Sequence, residues 1–447
     1  MKLVYNVKDK PQFGKLIVFA IQQLLAILAA TIAVPSIVGN GMSQSAALFG
    51  AGVGTLVYLL FTKFKSPVFL GSSFAFLGSM FAAFGGAASV GAGYAGIIIG
   101  AIFAGLVYVV IAIVVKFAGV NWINKLMPPV VIGPTVAIIG LSLAGNAVGD
   151  ALTFAKTDAG YVMSTKGWLG FICALVTLFT VMICSVYGKK MTKLIPFIIG
   201  ILAGYAVATV FTLIGNSTGN EALKIVDWSA FSNMQWVPDF TFLRAFKEGG
   251  FKELTPAYIA AIAVAYIPVA FVVFAEHIAD HKNLSSIIEQ DLLEEPGLHR
   301  TLLGDGVGSM VGAIFGGCPN TTYGESVGCV AITGNASVIT ICATAVIAIL
   351  ASFLAPFVTF LSTIPSCVMG GVCITLYGFI AVSGLKMIQK VDLDDNRNLF
   401  VVAAILISGI GGMSLTIGKV TLTEVACALI LGIVVNIILS RKDKKAA

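Results

Sequence analysis

Glu276 and Asp280 stand four residues apart in one long apolar run, and Glu325 stands in another. Side chains four apart share a face of a helix, so the first two acids point the same way. No lysine or arginine falls deep within an apolar run to pair with them. A charge at the middle of a bilayer costs at least about 2.5–3.5 kcal/mol, so an acid kept there marks a functional site. A protonated or half-protonated carboxyl both donates and accepts hydrogen bonds. That chemistry suits a neutral ligand with amide-like edges and the carriage of a proton. It suits an anion poorly, because no base stands ready to receive one. Asp305 and Glu424 lie near the ends of their runs, where a solvated or capping carboxylate is expected.

Two irregular segments accompany these acids. Ser66-Pro67-Val68-Phe69-Leu70-Gly71-Ser72-Ser73 precedes an apolar run from Phe74, and Gly316-Gly317-Cys318-Pro319-Asn320-Thr321-Thr322-Tyr323-Gly324 leads into Glu325 and Ser326. Pro, Gly, Ser and Thr in such density favour extended backbone that then enters a helix. At membrane depth, irregular backbone is tolerated only where it is buried in protein or lines a cavity. Two half-helices with facing N-termini would offer free N–H donors to a polar ligand.

The elements that must position these groups follow from composition. The chain has 447 residues, 58% hydrophobic and 11% charged. A soluble domain averages about 25% charged, so an ordinary cytosolic or secreted protein is excluded. The apolar runs are continuous rather than alternating, which excludes a membrane β-barrel. The expected class is an all-α polytopic membrane protein. Its fourteen spans lie near 14–36, 44–62, 67–86, 92–115, 129–148, 167–187, 194–215, 257–279, 302–317, 318–333, 337–357, 361–384, 398–416 and 420–440. Loops alternate in charge: twenty of the 27 Lys and Arg fall on the side of the N-terminus, which the positive-inside rule makes cytoplasmic, together with the C-terminus. Met1 to Lys15 is short and polar with no cleavage signature, so the first run reads as a retained span.

Pro128, Val131 and Gly133 open span five, and Pro365, Val368 and Gly370 open span twelve at a constant offset of 237. Halves related by seven spans run in opposite directions, the arrangement of secondary transporters. The loop 216–256 carries Trp228 and Trp236 and is expected at the membrane interface. Ser286 and Glu289 have capping-box spacing, which predicts a short amphipathic helix within 284–300. The eight cysteines fall in apolar segments and read as small hydrophobes. Gly304-Asp305-Gly306-Val307-Gly308 has no strand before it and does not read as a nucleotide loop. His277, His281 and His299 form no metal set, and His277 reads as a packing or interfacial residue. No nucleophile–base pair is present, so no enzyme, metal or nucleic-acid partner is expected.

Pro319-Asn320-Thr321-Thr322-Tyr323-Gly324-Glu325 resembles the signature of the nucleobase/ascorbate transporters, in their bacterial uracil permease branch. The segments Asp291–Arg300, Leu70–Phe76 and Ala275-Glu276-His277-Ile278 are similar to the same branch, and the likeness runs from the first span to the last. The resemblance implies 14 spans in 7+7 inverted repeats, with short antiparallel strands in spans three and ten. It implies a core domain of spans 1–4 and 8–11 (1–120 and 257–358) and a gate domain of spans 5–7 and 12–14 (121–256 and 359–447). It further implies that Glu276 and Glu325 hydrogen-bond a uracil ring and that the amides at Phe74 and Gly324 bind its carbonyls. Ala30, Phe74 and Tyr323 would pack on the ring. The coupling ion would be H+, carried by one of Glu276, Asp280 and Glu325, in a homodimer of the bacterial plasma membrane with no other cofactor. A xanthine or uric acid permease on the same scaffold, or an anion exchanger of the related fold, is the alternative expectation. Four positions depart from the family pattern: Gln22-Gln23 stands for Gln-His, Asp280 for His, Ser326 for Asn, and Thr333-Gly334 for Thr-Arg. They bear on the proton route and on fine selectivity.

Overall fold

The computed structural model describes residues 3–119, 128–152, 156–157, 160–162, 164–189, 191–417 and 420–440. Its first elements are α1 (Phe13–Val38), α2 (Gln44–Phe61), β1 (Leu70–Ser72), α3 (Leu77–Gly85, entered by a 3-10 turn at Phe74–Phe76) and α4 (Val90–Ala118). Next come α5 (Pro129–Ser142), α6 (Ala144–Ala151), the hairpin of β2 (Lys156–Thr157) and β3 (Gly160–Tyr161), α7 (Thr165–Tyr187) and α8 (Pro196–Thr218). Short turns and α9 (Thr241–Lys247) lead to α10 (Pro256–Ile288), α11 (Leu298–Gly316), β4 (Asn320–Thr322) and α12 (Gly324–Thr333). After α13 (Val338–Ser352) and α14 (Ala355–Ser362) come α15 (Ser366–Ile388) and α16 (Asn396–Ile410). The hairpin of β5 (Leu415–Ile417) and β6 (Val420–Leu422) then leads into α17 (Glu424–Ser440). Lys2, Lys125, Lys190, Lys419 and the tail 441–447, which enter the loop-charge bias, lie outside the described residues.

Among the described residues, eight helices are long and apolar enough to cross a membrane. Hydrocarbon offers the backbone no partner, so such runs close their own N–H···O=C bonds as helices. The protein is a multi-pass membrane protein. The run predicted at 337–357 is two helices bent by 81°. Pro356 sits in the first turn of α14, where its missing N–H costs nothing but a continuing helix could not hold it. The order helix, helix, strand, short helix, helix occurs twice, from α1 to α4 and from α10 to α13. Pro128 and Pro365 are both extended N-cap residues, and the helices they start, α5 and α15, pack on each other. The offset-237 match therefore falls on equivalent helix starts.

The 284–300 segment corrects an expectation. α10 runs on to Ile288, so Ser286 lies inside that helix and opens no new one; Glu289 ends it in the left-handed region at φ 54°. Buried Leu284 and Ile288 hold these last turns against the core. Ser285, not Ser286, makes the local links, from its hydroxyl to His281 O (2.6 Å) and from Leu292 N back to it (2.9 Å).

α2 and α11 cross at contact of their backbones. A Cβ at Gly54 would stand 2.7 Å from Gly308 O, and one at Gly308 would stand 2.8 Å from Gly54 O. Small residues four apart let membrane helices approach this closely. The glycines at 304 and 308 are thus a packing stripe. In the segment before α10, Arg244 ties α9 to the body. It donates to Gly41 O (2.6 Å) and Tyr94 Oη (2.5 Å), lies over the Tyr94 ring, and pairs with Asp239 and Glu248. Trp228 donates to Tyr205 Oη at 3.1 Å, whereas Trp236 is exposed.

Candidate functional site

The two irregular segments meet. β1 and β4 pair antiparallel, Leu70 with Thr322, Gly71 with Thr321 and Ser72 with Asn320. All six residues are buried. Each strand runs directly into a helix start, the 3-10 turn at Phe74 and α12 at Gly324, and neither Ser73 nor Tyr323 caps its helix with a side chain. No capping side chain therefore takes the leading N–H groups of either helix. Tyr323 is fixed across the strands by donating from Oη to Ser72 O at 2.7 Å. Its ring lies so close over Gly71 that any side chain there would overlap it.

Beside this strand pair is a cavity of about 360 Å³. One wall carries Ser73, Phe74, Thr321, Tyr323, Gly324 and Glu325, together with Glu276 and Asp280 from α10. The facing wall comes from α5, α8 and α15, with Val136, Ile139, Phe197, Phe379 and Ile380 among its residues and Ser383 the only polar one among the described residues. Among the described residues, no lysine or arginine lines the cavity. Glu276, Asp280 and Glu325 are half-buried, and Gly324 is open, with Asp280 Oδ1 the nearest atom a Cβ would meet, at 3.8 Å. Asp280 Oδ2 accepts from Thr322 Oγ1 at 2.9 Å, which fastens α10 to β4. Ser73 Oγ is buried and has no partner among the described residues. The arrangement offers carboxyls, a hydroxyl and two helix starts on one side and apolar surface on the other. A flat molecule with one polar edge fits it.

The structure thus brings together Glu276, Asp280, Glu325, Gly324, Phe74 and Tyr323. Ala30 is buried within α1 and is not among the cavity-lining residues. Phe74 also meets Tyr377 of α15 edge to face, centroids 5.8 Å apart.

Three features escaped sequence reasoning. The apolar wall did so because nothing in a run that is apolar all round marks one face. Asp305 corrects the expectation of a solvated or capping carboxylate: it is 1% exposed and pairs with His277 Nδ1 at 2.7 Å. It enters α11 only two turns from the helix start, yet α4 and α10 cover it. A histidine 28 residues away in an apolar run was the available signal. Third, two positions that depart from the family pattern touch each other: Gln23 Nε2 donates to Ser326 Oγ at 2.6 Å, and Phe69 N donates to the same oxygen at 3.1 Å. Ser326→Ala would leave both donors buried without that acceptor. It is expected to cost about 1–3 kcal/mol of stability, read as a lower thermal midpoint in detergent.

The permease family model (Xan_ur_permease, "Permease family") matches residues 14–418. The chain is 40% identical over 450 residues to the uracil permease of Bacillus caldolyticus, covering 100% of this chain and 96% of that one. It is 38% identical to the uracil permease of Bacillus subtilis (100% and 97%) and 33% identical to that of Escherichia coli K12 (97% and 93%). Among solved structures it resembles the transmembrane domain of a cyanobacterial bicarbonate transporter, BicA. The TM-score is 0.61 at 14% identity, covering 97% of this chain and 100% of that one. Murine solute carrier 26 member A9, an anion transporter, gives 0.60 at 10% identity, covering 98% and 69%. These structural likenesses show a shared fold.

Proposed function

Since the chain belongs to the nucleobase/ascorbate transporter family of permeases, we propose that it imports uracil by proton symport across the plasma membrane of a bacterium. It is a transporter and not an enzyme. The observation that carries the substrate class is the convergence of Glu276, Glu325 and two uncapped helix starts on one cavity that, among the described residues, has no basic side chain. In this reading the carboxyls of Glu276 and Glu325 hold the ring N–H groups, and the amides at Phe74 and Gly324 hold its carbonyls. Phe74 and Tyr323 flank the ring, with Ala30 behind them. The C5–C6 edge then faces the apolar wall.

The remaining parts of the proposal follow the family's pattern. Fourteen spans result if the eight long helices are joined by α11, α13, α16, α17 and the two strand-to-helix segments β1–α3 and β4–α12. Residues 1–120 and 257–358 form the core, which bears the acids. Residues 121–256 and 359–447 form the gate, which bears the apolar wall, and the core moves against the gate in alternating access. Both termini are cytoplasmic, and the working unit is a homodimer. Protonation of Asp280 or a neighbouring carboxyl neutralises the loaded site before it crosses the hydrophobic barrier. The membrane potential adds about 2.3 kcal/mol per charge per 100 mV, enough for a gradient of roughly fifty-fold per proton.

Labelled uracil uptake into proteoliposomes, acidic outside, tests this. Wild type is expected to accumulate uracil only with the proton gradient, whatever the chloride or sulfate present, and excess xanthine or uric acid should not compete. Asp280→Asn is expected to bind uracil without accumulating it. Uptake of xanthine in place of uracil would overturn the substrate, and indifference to the gradient would overturn the coupling.

A further inference from the structure

Next to the face of α10 that carries Glu276 and Asp280 lies another that carries His277 and His281. Both are fully buried, with ring centroids 4.1 Å apart. Every ring nitrogen is engaged. His277 Nδ1 meets Asp305 Oδ2 at 2.7 Å, and Nε2 meets Thr301 Oγ1 at 3.0 Å. His281 Nδ1 meets the His277 carbonyl at 2.8 Å, and Nε2 meets Tyr58 Oη at 2.7 Å. Tyr58 Oη also lies 2.7 Å from Ser66 Oγ. The titratable groups facing the two rings are Asp305 from α11, Tyr108 from α4 (centroids 6.2 Å from His277) and Tyr58 from α2. Glu276 and Asp280 adjoin them on α10.

The geometry fixes how many protons each arrangement can hold. A carbonyl only accepts, so His281 Nδ1 carries a hydrogen. The Tyr58 hydroxyl has one proton for two neighbours. Given to His281, it leaves a neutral ring, and Ser66 donates to Tyr58. Given to Ser66, it requires a second N–H on His281, which is then an imidazolium. His277 behaves alike. Thr301 Oγ1 also reaches Leu298 O at 3.1 Å, to which it can only donate. While it does so, His277 Nε2 must carry a hydrogen, and Asp305 and Nδ1 share another. When Thr301 turns to donate to Nε2, the pair has one proton fewer. Each histidine thus has a place for one proton, opened by the turn of a hydroxyl. The outer ends of this network, Thr301 and Ser66, stand next to Arg300 and Lys65 in the chain, and neither is among the cavity-lining residues.

We propose that His277 and His281 receive the transported proton from the cavity carboxyls once the loaded site has crossed, and release it past Thr301 and Tyr58. Only N–H and O–H bonds change: the proton gained at a ring nitrogen is the one lost from the cavity side. This rests on the proton-symport reading above.

The test compares wild type with H277Q, H281Q and Y58F in proteoliposomes. Three readouts are taken: uracil exchange at equal pH, gradient-driven accumulation, and uracil-evoked proton entry followed with a trapped pH dye. Exchange is expected to stay within about twofold of wild type. Accumulation and proton entry should fall by at least about tenfold in H277Q, the loss expected when a positioned proton carrier is removed. H281Q and Y58F should show the same split to a smaller degree, which keeps the test open if H277Q alone fails to fold. Exchange and accumulation falling in parallel in H281Q and Y58F would reduce the network to packing and overturn the proposal. Undiminished accumulation in all three would overturn it as well. Wild-type accumulation that ignores the gradient would instead refute symport itself, before any variant is compared.

Discussion

Glu325→Gln is expected to weaken uracil binding by roughly ten- to a hundredfold, the effect of a hydrogen bond to an ionisable group worth about 1.5–3 kcal/mol. Glu325 occupies the first turn of α12, directly after the open amide of Gly324, and faces the cavity that Glu276 and Asp280 also line. The amide of glutamine keeps an acceptor and a donor but cannot exchange a proton or choose freely which oxygen donates. The fold should tolerate the change, because the side chain is half-buried against a cavity rather than packed in protein. Equilibrium binding of labelled uracil, with thermal melting as the control, separates the two effects. Unaltered affinity in a well-folded Glu325→Gln protein would remove this residue from the site.

Gly54→Val is expected to abolish binding for a different reason. Its Cβ would stand 2.6 Å from Asn320 Nδ2 and 2.7 Å from Gly308 O, and backbone cannot step aside. Asn320 belongs to β4 and reaches back to Gly50 O at 3.1 Å, so the valine both forces α2 off α11 and unseats the strand. Overpacking costs about 1–3 kcal/mol and often more, and a buried amide left unpaired adds about 1–3 kcal/mol. Together these approach the total stability of an ordinary domain, about 5–15 kcal/mol. Monodisperse protein should be scarce, and what is recovered should not bind uracil. Gly328→Ala provides the contrast: in the same region, with nothing within 4 Å of its Cβ, it should be neutral or stabilise by up to about 1 kcal/mol. Equal damage from both substitutions would refute the packing argument.

The Gln23–Ser326 contact changes how the departures from the family pattern read. Taken singly, a glutamine for histidine and a serine for asparagine each cast doubt on the site. In space they are one hydrogen bond that also receives Phe69 N, 257 residues from Ser326. Asp280, the third departure, is fastened to β4 through Thr322 while still lining the cavity.

Much of this protein was legible residue by residue. Continuous apolar runs must become membrane helices, because hydrocarbon leaves the backbone no other partner. Pro, Gly, Ser and Thr at membrane depth announced broken segments, and strands followed by helix starts stand there. Unpaired acids in those runs named Glu276, Asp280 and Glu325, all of which line one cavity. Only the tertiary structure decided what faces them. Val136, Ile139 and Ile380 look like every other aliphatic residue in their runs, since lipid and protein interior are equally apolar and leave no periodic mark. The burial of Asp305 against His277, the Leu70–Thr322 register and the Gly54–Gly308 crossing likewise join residues far apart in sequence. Local propensity carries no information about such pairs, and only the packing of the finished helices brings them within reach.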